Sequence, residues 1–173
     1  MSEQATLGLG QPDAWIIDAS SLIEIKRAVA SHNQWGLLKT MEHMVRERRL
    51  GAPRHVYREV SRAQHPDAPG VWASGVRDSQ QLPLDVDPVC TQHVLRVAPT
   101  LLDVNKIEED ADPYVVALAW QLRRDGKNVC VVTEDHVDRA SMSIATACDL
   151  LGIAWVRLRD FVVSLGVPIR SGR

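Results

Sequence analysis

The chain has 173 residues, 45% hydrophobic, with a formal net charge of −2, which fits one domain with a real core and leaves little room for two. That charge balance counts against a nucleic-acid binder working through overall basicity, while leaving room for a local basic patch. There is no apolar run long enough to span a bilayer, no basic segment leading into an apolar one at the N-terminus, and no CxxC or close pair among Cys90, Cys130 and Cys148. A soluble cytoplasmic protein with buried, reduced thiols is expected.

In chain order, residues 1–13 read as a tail without period. Ala14–Ile17 is an unbroken apolar run ending at Asp18, the mark of a short buried strand. Ser20 and Ser21 offer N-caps for a helix over Leu22–Val29, which leaves Asp18 free of capping duty. A second helix is predicted over Gln34–Arg49 from the 3.6-residue spacing of Leu37, Leu38, Met41, Met44 and Val45, with Gly51 as punctuation. Pro53 opens a third helix, Arg54–Ala63, and His65–Gly70 reads as a loop. A weaker helix follows near Val71–Asp78, then an extended connector over Leu82–Pro88 and an amphipathic helix over Val89–Leu102. Glu108, Glu109 and Asp110 read as a solvated acidic turn that could lend a substitute ligand. Asp112 before Pro113 is a strong N-cap signal for an apolar helix, Pro113–Arg123, closed by Gly126. Val129–Val132 is the second central strand. A helix over Ile144–Leu151, a strand over Ile153–Val156 and a short helix near Asp160–Leu165 complete one domain over 14–166, before a tail over 167–173. Strands alternating with helices imply parallel pairing and an α/β fold, with a long helical insert before the second strong strand.

Four acids stand out: Asp18 after the first strand, Glu59 on the third helix, Asp112 at the start of the apolar helix, and Asp135 after the second strong strand. Two leave what read as neighbouring parallel strands, and ligands bind beyond the carboxyl ends of such strands. Carboxylates gathered there repel, by about 4 kcal/mol per pair at ~4 Å and an effective dielectric of about 20. They must hold protons or a cation, and hard oxygen donors select Mg²⁺ or Mn²⁺, the metals of phosphoester chemistry. Each acid also has an ordinary reading: a helix cap for Asp18 or Asp112, a surface pair with Arg62 or His55 for Glu59. Of Glu134 and Asp135, one should face the crevice and the other solvent, and periodicity does not choose. Arg54, Arg58 and Arg62, at i, i+4 and i+8, make a basic stripe beside Glu59, either a solvated face or a track for a phosphate backbone. No GxGxxG, GxxxxGK[ST] or GxSxG motif supports nucleotide cradling or a serine nucleophile.

These motifs resemble one family. Trp15–Ile23 (WIIDASSLI) resembles the opening strand and helix of PIN-domain ribonucleases; Val56–Val60 (VYREV), Ala111–Ala119 (ADPYVVALA) and Val131–Asp135 (VVTED) resemble their later acid-bearing elements, in the same order. Among PIN-like groups the chain looks most like a bacterial family of PIN-like proteins encoded beside small regulatory partners. The resemblance implies a flavodoxin-like parallel sheet between helices, and Mg²⁺ or Mn²⁺ held by Asp18, Glu59, Asp112 and Asp135. It implies orienting hydroxyls at Ser20 and Thr133, and places the fourth acid at Asp135 through the Thr-x-Asp pattern. It further implies endonucleolytic cleavage of RNA, a cognate antitoxin and dimerisation. Residues 64–110 match no motif. The rival expectation is a PIN-like module kept for binding protein or RNA without catalysis.

Overall fold

The computed structural model describes residues 10–62, 67–107 and 109–170. Most of the expected N-terminal tail, the end of the third predicted helix at Ala63, the loop residues His65 and Pro66, and Glu108 lie outside them.

Four strands pair among the described residues: β1 (Ala14–Ile17), β2 (Leu50–Gly51), β3 (Val129–Val132) and β4 (Ala154–Val156). They form one all-parallel sheet in the order β2-β1-β3-β4. Ala14 aligns with Val129 and Cys130 with Ala154. All of β3 is buried, as are Ala14, Ile16 and Ile17 of β1, as expected of strands covered on both faces.

The helices are α1 (Ala19–Ala28), α2 (Ser31–Arg46), α3 (Arg54–Ser61), α4 (Ala68–Val76), α5 (Pro88–Val97), α6 (Asp112–Arg124), α7 (Ile144–Leu151) and α8 (Leu158–Ser164). Helix α6 packs on β1 and β3 and between α5 and α7, while α1 packs against α3, α4 and α8. The sheet is thus flanked by helices in an α/β arrangement. The near-continuous apolarity of α6 has its cause here: Val115, Val116, Ala117, Leu118 and Ala119 are all buried.

Several boundaries depart from the pattern-based expectation. Helix α2 begins three residues early and stops at Arg46, because Arg48 takes a left-handed turn (φ 64°) that sends the chain back beside β1. The Arg49 carbonyl then accepts from Trp15 N–H at 2.9 Å, and Leu50–Gly51 becomes an edge strand too short to show a period. The predicted helix over Val89–Leu102 ends at Val97, and Pro99–Leu101 forms a 3-10 turn. The edge beyond β2 is covered by the Gln80 side chain, which accepts from Ala52 N–H at 2.9 Å and donates to the carbonyls of Ala52, Leu82 and Pro83 at 3.0–3.1 Å. A Cβ on Gly51 would meet Leu82 Cδ1 at 3.0 Å, so glycine permits that close approach. At the C-terminal end, Arg170 N–H bonds the Ala28 carbonyl at 2.8 Å and Val167 and Ile169 pack on the core. The cysteines are free and buried. Among the described residues no helix is long and apolar enough to cross a membrane.

Candidate functional site at the strand carboxyl ends

The order β2-β1-β3-β4 changes direction between β1 and β3: the chain leaves β1 to one side for β2, then crosses back to β3 on the other. Helices following β1 and β3 diverge at such a point and open a crevice beyond the strand ends. Asp18 follows β1 there, and Thr133, Glu134 and Asp135 follow β3.

Asp18 is buried, at 2% exposure. Contrary to the expectation that Ser20 and Ser21 would cap α1, Asp18 is itself the N-cap: its Oδ1 accepts from Ser21 N–H at 2.8 Å. The capping residue must have extended backbone, and Asp18, still at the strand end, does; Ser20 and Ser21 are already helical. The other oxygen, Oδ2, accepts from the Ser20 and Thr133 hydroxyls, both at 2.6 Å. Those hydroxyls accept in turn: Ser20 Oγ from Glu134 N–H at 3.2 Å, and Thr133 Oγ1 from Asp135 N–H at 3.0 Å. One carboxylate therefore welds the ends of two strands. Burial raises the Asp18 pKa, the hydrogen bonds working against it.

After Thr133 the two acids part. Glu134 pairs with Arg157 at 2.7 Å and accepts from Leu158 N–H at 2.9 Å, so it holds the start of α8 rather than facing free solvent. Asp135 accepts from Ile144 N–H at 2.9 Å at the start of α7, and its charge contributes to raising Asp112.

Asp112 is not the N-cap its sequence context suggests. It is the first helical residue of α6, and Ala111 occupies the cap position without a side-chain bond. Burial, with the charges of Asp110, Asp135 and Asp18, raises its carboxyl to about 7, Lys106 opposing. Asp110 is likewise no solvated turn residue: it is 5% exposed. Its Oδ1 accepts from Lys106 Nζ at 2.8 Å and Asp112 N–H at 3.3 Å, and its Oδ2 from Asp103 N–H at 3.3 Å.

Glu59 lies on the exposed side of α3 and borders a cavity of about 440 Å³, together with Arg58, Arg62, Lys106 and Asp110. Its carboxyl still reaches far enough inward for burial to raise its pKa; Lys106 opposes this, while Asp110 and Asp18 add to it. Glu59, Asp112 and Asp18 thus share one electrostatic neighbourhood. His55, a possible partner for Glu59, instead stacks on Tyr114 (3.7 Å between centroids, 8° between planes). The Glu109 carboxylate accepts from Tyr114 Oη at 2.6 Å and pairs with His55 Nε2 at 3.2 Å. The basic stripe is split: Arg54 makes two 2.9 Å bonds to Asp85 and does not line the cavity.

Lys106 is the residue sequence reasoning missed. Its Nζ lies 2.8 Å from Asp110 and 4.0 Å from Asp112. Burial would lower its pKa, but the hydrogen bond to Asp110 and the charges of Asp112, Asp110 and Glu59 raise it. The usable signal was its isolation: no other Lys, Arg or His occurs between Arg96 and Arg123.

The donor set, all hard carboxylate oxygen, fits Mg²⁺ or Mn²⁺ in its chemistry. As they stand, no three His, Cys, Asp or Glu side chains among the described residues are arranged to hold a metal ion; Lys106 stands among them as a positive charge, and Arg62 also acts on Glu59.

The model of a family described as a domain of unknown function, DUF4411, matches residues 15–168. The chain belongs to this family. The match spans every element that builds the crevice, from Asp18 to the start of α8. No curated protein and no solved structure matches the chain.

Proposed function

We propose that this DUF4411 chain is a metal-dependent endoribonuclease of PIN-like fold, acting as the toxin of a type II toxin–antitoxin pair. The observation that carries the reading is Asp18: a buried carboxylate at the point where the sheet changes direction, bound by Ser20 and Thr133 and within the field of Asp112 and Glu59. Nothing in strand packing calls for carboxylates to converge against their own repulsion, and a buried acid beside others with raised pKa values in a crevice is a common mark of a functional site.

In this reading Asp18, Glu59, Asp112 and Asp135 hold one or two Mg²⁺ or Mn²⁺ ions. Bound there, the metal would supply a water of lowered pKa as nucleophile and a Lewis acid for the leaving oxygen. The protein's own part is positional. Thr133 and Ser20 fix the Asp18 carboxylate by two hydroxyl bonds and leave it little rotational freedom. Asp112, raised to about 7 by burial and the neighbouring carboxylates in the metal-free chain, would give up its proton on taking a cation. Arg58 and Arg62 border the cavity beside Glu59 and place cationic charge where an RNA backbone would run; Arg54, bound to Asp85, is set apart from them. Dimerisation and an antitoxin partner follow from the resemblance.

The test is incubation of purified protein with a pool of structured RNAs in Mg²⁺, Mn²⁺ or EDTA, beside Asp18→Asn. Cleavage that requires metal and is lost in the folded variant is the expected result. Cleavage retained by Asp18→Asn sinks the assignment. The second reading, a PIN-like binding module without catalysis, is favoured by Lys106 standing among the carboxylates. Folded wild-type protein that binds RNA or a partner but takes up no Mn²⁺ would select it.

A further inference from the structure

We propose that Lys106 is a resident counter-ion of the carboxylate crevice, which must withdraw before a divalent cation is seated there and so sets the affinity of the site. This rests on the metal-site reading above.

The placement comes first. The ammonium touches Asp110 at 2.8 Å and stands 4.0 Å from Asp112, a proposed ligand. Glu59, the proposed ligand on α3, borders the same cavity. One ammonium therefore answers charge on both sides of the opening, and a divalent ion seated between the same carboxylates would face it at close range.

The fastening is the second observation. Asp110 is buried, and its two oxygens accept from Asp103 N–H, Asp112 N–H and Lys106 Nζ. It ties Asp103 and Lys106 to the start of α6 and holds the Lys106 ammonium beside Asp112. Asn105 N–H bonds Asp103 Oδ1 at 3.0 Å and Lys106 N–H the Asp103 carbonyl at 3.1 Å, which completes a tight turn.

The third observation is what withdrawal would cost. The Lys106 side chain is 48% exposed, and its neighbours Val104 and Ile107 are 83% and 103% exposed. About half of the side chain is already in water, so only part of its contact surface is given up if the ammonium swings out. The ion pair with Asp110 is the main thing given up, and a divalent ion on Asp112 and Glu59 restores the charge balance.

The experiment is calorimetric titration of the full chain with Mn²⁺ at pH 7.5, comparing wild type, Lys106→Met and Lys106→Arg. Methionine keeps the apolar stem and removes the charge; it is expected to tighten Mn²⁺ binding at least tenfold, while arginine keeps wild-type affinity or weakens it. Amide exchange over residues 103–110 is expected to quicken when wild type is saturated with Mg²⁺. Equal or weaker Mn²⁺ binding by Lys106→Met, beside a wild type that binds, overturns the counter-ion role and leaves the metal reading standing. Unchanged exchange over 103–110 at saturation overturns the withdrawal. No Mn²⁺ uptake by either folded protein overturns the metal reading, and this proposal with it.

Discussion

The two walls of the crevice are built on different principles. The strand wall, Asp18 with Ser20 and Thr133, is buried and fixed by short bonds from hydroxyls and a backbone N–H. The helix-and-loop wall, Glu59, Asp112, Asp110 and Lys106, sets backbone bonds on buried Asp110 beside the ion pairs of a half-exposed Lys106, and is open to water along one edge. Directional bonds in a buried place specify a single geometry, whereas ion pairs at an edge keep their energy over a range of geometries and weaken with salt. One wall is thus preset and the other adjustable, an arrangement suited to a site that must admit and release charge.

The sharpest way to break the preset wall is Asp18→Ala. It strips an acceptor from Ser21 N–H and from two hydroxyls at once, and buried donors left unpaired cost roughly 1–3 kcal/mol each. The gain from no longer burying a carboxyl offsets part of that. A loss of about 2–4 kcal/mol in urea unfolding is expected. Asp18→Asn keeps an oxygen for Ser21 N–H while the hydroxyls rotate, so its loss should stay within about 1 kcal/mol. Equal losses in the two variants would show that the bonding network is not what binds the strand ends.

The adjustable wall should reveal itself through pH. Asp112 is raised to about 7 by burial and the neighbouring carboxylates, from an ordinary 3.8. Between those values the folded chain binds more protons than the unfolded one. The contribution is complete below about 4 and is lost as pH rises through about 7, at up to about 1.4 kcal/mol per pH unit. Asp18 and Glu59, also raised, act in the same direction. Asp78, Asp85, Glu109 and Asp138 are held low by their partners and act with opposite sign below that window. Metal-free protein should therefore lose stability from pH 5 to pH 8, and Asp112→Asn should flatten the slope. An unchanged slope in that variant would assign it to another group.

The same division separates what was legible in the sequence from what was not. β1, β3 and α6 were readable because burial on nearly all sides leaves unbroken apolar runs, and Asp18 was readable because it interrupts one. The two-residue β2 was not, since its pairing depends on the left-handed turn at Arg48 and on Gln80 from far along the chain. The capping roles went astray at both acids by one rule. A cap is defined by the backbone of its own residue, which residue type does not reveal: Asp18 is extended and caps, while Asp112 is already helical and does not. Lys106 and Asp110 were hidden because an acidic loop looks solvated until bonds from its own backbone and Lys106 gather one carboxylate inward.

The smallest expected effect separates two arginines that the helical period treats as equivalent. Arg54 spends its guanidinium on Asp85, outside the cavity, whereas Arg58 borders the cavity beside Glu59. Phosphate contacts contribute affinity that falls with salt, and each one lost lowers the slope of log affinity against log salt by about 0.7 for a single strand. Arg58→Ala should therefore weaken binding of a short RNA to Asp18→Asn protein severalfold and flatten its salt dependence by about one contact. Arg54→Ala should leave both unchanged. If the two substitutions weaken binding alike in a filter-binding salt series, the whole face of α3 meets the RNA, and the crevice is wider on that side than its cavity.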